Sequence, residues 1–382
     1  MSRLLLWALL PLALIVLVGA GFLVRDPLRS FSSGVPPAEE VTVERTVLDG
    51  DGIALLVRAG GTEPITIAQV QVDGAYWAFT QDPPGPLSRL ASAWLRIPYP
   101  WVHGETHAIV MLSRAGVPFE HTIDVAVATP TRGSLKALGL VGLFVGVVPV
   151  ALGMLFYPAL RAGGRSAFDF ALALTVGLLL FLLVDTLEEA LELAAEAAPG
   201  FHAAVMVWLV AAMTAGLLYA VGRRDGRQLG GLGLATSIAL GIGLHNLGEG
   251  LAIGSAFATG AAALGTFLVL GFTLHNITEG IGIVAPLIET RHRLTTFVGL
   301  AALAGLPAVA GIWIGSYAFA PHWAALALAV GAGAIFQVVV EVGLLLLRRA
   351  RSQGGSVATV PATAGLLAGI VVMYGTALLV QA

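Results

Sequence analysis

The chain has 382 residues, of which 57% are hydrophobic and only 11% charged, and its mean hydropathy is +0.89. That composition excludes an ordinary soluble globular protein and defines a polytopic membrane protein. The net charge of −3 says little about partners, among which no nucleic acid is expected, and the lack of cysteine excludes disulfides and thiolate metal sites.

Residues 4–24 form a continuous apolar run behind Arg3. It is longer than a usual signal core, and Val18-Gly19-Ala20 is only a fair cleavage sequence. We read 1–24 as an uncleaved membrane anchor, with a cleaved signal peptide as the alternative. Residues 25–132 change character: charge, proline and turn residues appear, and the periodicity becomes two. Ile65 to Val72 reads as a strand whose phase slips at Ala68-Gln69, which predicts a bulge. Asp73-Gly74 then predicts a tight turn into Ala75 to Thr80. His107 to Ser113 and Phe119 to Ala128 read as a second pair around Arg114-Ala115-Gly116. A small β-sandwich is expected.

Residues 133–382 hold apolar segments near 135–158, 168–193, 202–221, 231–257, 262–287, 295–318, 322–347 and 361–381. Each is long enough to span ~30 Å of hydrocarbon, so eight helices are expected. Arginines occupy alternate loops: Arg161 and Arg165, then Arg223, Arg224 and Arg227, then Arg291 and Arg293, then Arg348, Arg349 and Arg351. The intervening loops near 194–201, 258–261 and 319–321 carry neither Lys nor Arg. The positive-inside rule places the arginine loops in the cytoplasm, and the β-domain and C-terminus outside a cell membrane. Arg132 and Lys136, at the outer end of the first helix, dissent.

The most informative feature is a repeat. His245-Asn246-Leu247-Gly248-Glu249-Gly250 recurs as His275-Asn276-Ile277-Thr278-Glu279-Gly280, each copy in the middle of an apolar segment. An ionisable side chain at bilayer depth costs roughly 2.5–3.5 kcal/mol even on the lenient insertion scale. Helical residues i and i+4 share a face with i+1 on its flank, so each copy presents an imidazole, an amide and a carboxylate together. Those are nitrogen and oxygen donors suited to a divalent transition metal. His245 falls about 14 residues into its helix and His275 about 13 into the next, so two antiparallel neighbours bring both copies to one depth, ~20 Å in. Facing Glu249 and Glu279 could bridge two ions. Polar glue between helices is the plainer explanation of one such residue, and it accounts poorly for two matched copies.

Asp185, Glu188, Glu189, Glu192 and Glu196 form an acidic stripe at the outer end of the second helix. It reads as a cation-attracting vestibule or as a solvated helix end. Asp185, Glu188 and Glu189 are candidate pathway groups. So is Glu341, one turn beyond Gln337, with an ion pair to Arg348 or Arg349 as its alternative. His103, Glu105, His107, Glu120 and His121 cluster in sequence in the β-domain and read as metal capture or as plain surface. Trp313 and Trp323 read as interfacial anchors, and Gly250 and Gly254 as a close-packing pair.

At these motifs the chain resembles the ZIP family of divalent-metal transporters, over about 134–382 and most specifically at 241–284. Bacterial members carry His-Asn-x-Pro-Glu-Gly in the fourth helix and a related motif in the fifth. The resemblance implies an eight-helix ZIP-like bundle, here with an N-terminal anchor and an extracytoplasmic β-sandwich. It implies that His245, Asn246, Glu249, His275, Asn276 and Glu279 form a binuclear centre on the transport path, that the protein moves by elevator-like or rocking motion, and that it forms a homodimer. Zn²⁺, Fe²⁺ or Mn²⁺ would be the bound and carried ion, with no prosthetic group and no enzymatic reaction. There are departures. The motif proline is Gly248 in one copy and Thr278 in the other. The Glu that often precedes a sixth-helix proline is Leu306 before Pro307, which weakens the second metal position. The stretch 222–229 has no histidine. Two other classes remain open: a membrane-embedded di-metal oxidoreductase, and a metal sensor acting through the β-domain.

Overall fold

The computed structural model describes residues 38–129, 134–222, 231–258, 262–318, 320–352 and 356–381. The expected anchor at 4–24 and the loop arginines Arg132, Arg223, Arg224 and Arg227 lie outside the described residues.

Eight strands come first: β1 (Val41–Asp49), β2 (Gly52–Ala59), β3 (Ile67–Val72), β4 (Ala75–Trp77), β5 (Thr80–Asp82), β6 (Ser92–Ile97), β7 (His107–Ser113) and β8 (Pro118–Ile123). They form two antiparallel four-stranded sheets, ordered β1-β2-β6-β5 and β4-β3-β7-β8. Leu55, Val57, Leu95 and Ile97 from the first sheet share one buried core with Val70, Val72, Ile109 and Met111 from the second. Burying such side chains stabilises by about 1.5–3 kcal/mol each, which is what holds the sheets face to face.

The β3–β7 register shifts between Ile67 and Gln69, where the phase slip predicted a bulge. Asp73 and Gly74 both have positive φ, 53° and 79°, the backbone a two-residue hairpin needs to follow the strand twist. Two details differ from expectation. Thr80 belongs to β5, in the other sheet, because the chain crosses between layers after β4. The last strand stops at Ile123 rather than Ala128; beyond it Ala126 bonds to Gly104 and Glu105 of a loop.

The helical part consists of α1 (Leu135–Ala162, an interrupted helix), α2 (Gly164–Glu196), α3 (Ala203–Gly222), α4 (Leu232–Ala258), α5 (Ala262–Val284), α6 (Leu294–Ala318), α7 (Pro321–Ser352) and α8 (Val360–Gln381). Among the described residues seven helices are long and apolar enough to cross a membrane, which makes the chain a polytopic membrane protein. The eighth expected segment is α4. At 27 residues it is long enough, but His245, Asn246 and Glu249 in its middle dilute its apolar character.

Small residues set the packing. A methyl on Gly254 of α4 would lie 2.3 Å from Ile312 O of α6, and one on Gly311 of α6 would lie 2.2 Å from Leu247 O of α4. Only bare backbone permits this approach, the small-residue mode of membrane helix packing. The expected role of Gly250 and Gly254 is therefore seen directly. About one turn further along α6, at its C-terminal end, the Arg45 guanidinium of β1 donates to Tyr317 O and, at 3.5 Å, to Ser316 O. A cation there suits the negative end of the helix.

Candidate metal centre

α4 and α5 pack side by side, and the two repeats meet between them. His245, Glu249 and His275 each offer a ligand atom within 4.8 Å of the others, and all three residues are buried. Glu249 is the hub. Its Oε1 lies 3.1 Å from His245 Nε2 and also contacts His275 Nε2, while its Oε2 accepts from Asn276 Nδ2 at 3.3 Å. Glu279 is 3% exposed and neither of its carboxylate oxygens has a hydrogen-bond partner.

The orientation of His245 comes from α2. The Thr186 hydroxyl donates to Leu182 O at 2.7 Å, as threonines in apolar helices commonly do. Its single proton being committed, it accepts from His245 Nδ1, 2.8 Å away. The imidazole so fixed turns its Nε2 to Glu249. An outer partner on Nδ1 is the usual way a metal-binding histidine is held. Sequence reasoning missed Thr186; its one signal was a hydroxyl beside Asp185.

The asparagines act as tethers. Asn246 Nδ2 donates to Ala304 O of α6 at 3.1 Å, and Asn276 Nδ2 donates to Val145 O of α1 at 3.0 Å. Asn276 Nδ2 also donates to Glu249 Oε2, and the Oδ1 of each asparagine is buried without a partner. The closing glycines repeat the relation. A methyl on Gly250 would lie 2.3 Å from Ala308 O of α6, and one on Gly280 would lie 2.1 Å from Val150 O of α1. On α6 the two contacted carbonyls are four residues apart; on α1 they are five apart, and the extra residue is taken up by the π-helical turn Leu143–Val147. The repeats therefore dock in the same way on two different helices. Such wide turns recur at functional sites, and nothing in the sequence announces this one.

The ligand group that the geometry gathers is His245, Glu249 and His275, with Glu279 buried as well. Both oxygens of Glu279 and the Oδ1 of each asparagine are buried without a hydrogen-bond partner. Unpaired buried polar atoms are costly, so these residues fit a cation chemically.

A cleft of about 300 Å³ leads to the cluster, lined by Asp185, Glu188, Glu189 and Glu192 of α2 and by His275. The acidic stripe consequently opens on a motif residue. A larger cavity of about 720 Å³ between α2, α3 and α7 is walled by apolar groups such as Trp208 and Phe336 and brings no ionisable side chains together.

Other sequence expectations fare differently. Leu306 is 48% exposed, on the face of α6 turned away from α4, so it does not occupy a ligand position. Gly248 faces α7, where a methyl would lie 2.0 Å from Leu328 Cδ2, and α4 runs through it as continuous helix. Thr278 donates to His275 O at 2.6 Å. Glu341 is buried on α7, but Arg349 pairs with Glu289 at 2.7 Å and Asp169 at 3.5 Å. The β-domain histidines are not gathered. His107 Nδ1 lies 2.8 Å from Asp73 Oδ2 and His121 Nε2 lies 2.9 Å from Thr46 Oγ1, and among the described residues they join no metal-ligand group. Burial works to raise the Asp73 carboxyl, yet hydrogen bonds from His107, the Ala108 N–H and Tyr99 together hold it below the usual carboxylate value.

Comparison of the sequence with models of known protein families gives no match, and comparison with curated proteins gives none either.

Proposed function

We propose that the chain is a ZIP-like transporter that carries a divalent transition metal, Zn²⁺, Fe²⁺ or Mn²⁺, across the cell membrane into the cytoplasm. The observation that carries this reading is a buried His/Glu/His cluster, with uncompensated Glu279 beside it, reached through a cleft walled by carboxylates. The acidic walls raise the local concentration of cations. At His275 the ion exchanges water for imidazole and carboxylate donors, which suit borderline metals. Glycine-lined helix contacts allow neighbouring helices to slide or rock, and alternating access about a midplane site is how secondary transporters work. The paired docking of the repeats on α1 and α6 supports a pseudo-two-fold arrangement of that kind. A di-iron oxidoreductase is the weaker reading, because such bundles supply four carboxylates and this cluster has two.

Full-length protein in liposomes containing a metal-sensitive dye is expected to take up at least one of Zn²⁺, Fe²⁺ and Mn²⁺ saturably. Correctly inserted protein that moves none of them above empty vesicles would sink the proposal.

The orientation we propose places the β-domain and the acidic cleft outside and the arginine loops inside. The absence of native cysteine makes a labelling test clean. Both Ala195 and Arg293 are exposed. Ala195→Cys is expected to react with a membrane-impermeant maleimide from outside only, and Arg293→Cys only after the membrane is opened. The reverse pattern means the topology is inverted.

A further inference from the structure

Away from the metal centre, two adjoining cavities share Tyr157 and Pro158 of α1. One, of about 510 Å³, is walled by Arg161, Arg291 and His292. The other, of about 410 Å³, is an apolar groove between α1 and α6, lined by residues such as Ala151, Leu155 and Val298. We propose that together they bind one anionic glycerophospholipid, its phosphate among the basic side chains and an acyl chain along the groove.

Three features support this occupant. The first is charge. Arg161 is held in place at the pocket: its Nη1 donates to Tyr157 Oη at 2.9 Å and to Thr290 O at 2.8 Å, and the Tyr157 hydroxyl donates in turn to the same carbonyl. Both bonds to Arg161 use a single nitrogen, whereas a guanidinium has five N–H donors. Glu289, the nearest carboxylate in sequence to Arg291, is paired with Arg349 at 2.7 Å. A doubly arginine-walled pocket beside a spanning helix suits a phosphodiester. The second is length. The groove follows α1 from Val147 to Pro158, roughly 16 Å at 1.5 Å per residue, about one leaflet of a ~30 Å hydrocarbon core. The third is access. Leu155 and Val298 are 72% and 61% exposed, so the groove opens sideways, where lipid lies around a membrane protein. A soluble phosphate ester would leave this apolar half unused. The site is independent of the metal-transport reading and needs only that the chain spans a membrane.

The test is native mass spectrometry of the full-length protein in detergent with equal amounts of phosphatidylglycerol and phosphatidylcholine. Wild type is expected to retain one phosphatidylglycerol, with a preference of about fivefold per arginine, since each basic group near a lipid surface contributes ~1 kcal/mol. Arg161→Gln with Arg291→Gln should reduce that preference to about one, and Val298→Trp should fill the groove and reduce retention of both lipids. Equal retention of the two lipids by wild type, a measurement that needs no variant, overturns the proposal. Glycerol 3-phosphate provides the second arm, as the same headgroup chemistry without chains. If it is held as tightly as the lipid, the pocket takes a soluble phosphate ester and the lipid assignment falls.

Discussion

Glu249→Gln is expected to lower metal affinity by at least about 100-fold and to reduce flux to background, because loss of even an outer-sphere partner typically costs 10–100-fold. Glu249 meets both imidazoles, and it accepts from Asn276 as well. Gln keeps the volume and removes the charge. Its amide can bond a histidine nitrogen, so a cluster that served only as polar glue would survive the change with insertion, melting and any metal binding unaltered. The measurement is metal titration and counting by mass spectrometry, with thermal melting of the same samples. Wild-type affinity in the variant would falsify the metal centre.

Glu279→Gln separates the same two ideas by the sign of a stability change. In the metal-free protein its carboxylate is buried with neither oxygen bonded. Gln removes an ionisable group that no hydrogen bond holds, so the metal-free variant should melt no lower than wild type, and higher to the extent that the carboxyl is charged. Added metal should then stabilise the variant less than it stabilises wild type, since ligand that binds the folded state stabilises in proportion to the logarithm of its affinity. If Glu279 were a structural hydrogen-bonding group, the metal-free variant would melt lower.

The motif and its setting were legible because they break the bilayer's rules. Two copies of a polar hexapeptide in apolar segments stand out against a background that excludes such residues, and i, i+4 spacing fixes the shared face. The β3–β4 turn was legible for a similar local reason, Asp73-Gly74 between alternating runs. What was not legible depends on partners distant in sequence. Thr186 acts on His245 from 59 residues away, and the Val145 carbonyl that holds Asn276 is 131 residues away. A carbonyl has no sequence signature, and neither does the π turn that presents it. Leu306 failed as a site residue because a residue before proline was placed by motif position alone. The face of α6 that meets α4 is marked instead by its small residues, Ala304, Ala308, Gly311 and Gly315, and Leu306 is not on that face. β2 was not read as a strand because its first four residues are all buried, which leaves no period of two there.

Gly250→Val and Gly280→Val should each cost about 100-fold in flux, since a displacement of ~1 Å at a site can have that effect. The two glycines lie where backbone meets backbone, and an added Cβ would stand 2.3 Å from Ala308 O or 2.1 Å from Val150 O. No rotamer relieves a clash at Cβ, so α4 must move from α6, or α5 from α1. Either movement stretches the tether one turn earlier, Asn246 to Ala304 O or Asn276 to Val145 O. Overpacking of this kind destabilises by about 1–3 kcal/mol, so melting should fall as well. Gly299→Val is the control on a spanning helix, because nothing lies within 4 Å of a methyl there. Because the repeats dock alike, the two variants should lose metal affinity to a similar degree. If Gly250→Val destroys the site while Gly280→Val leaves it intact, the α5 repeat contributes His275 alone and the rest of the cluster belongs to α4.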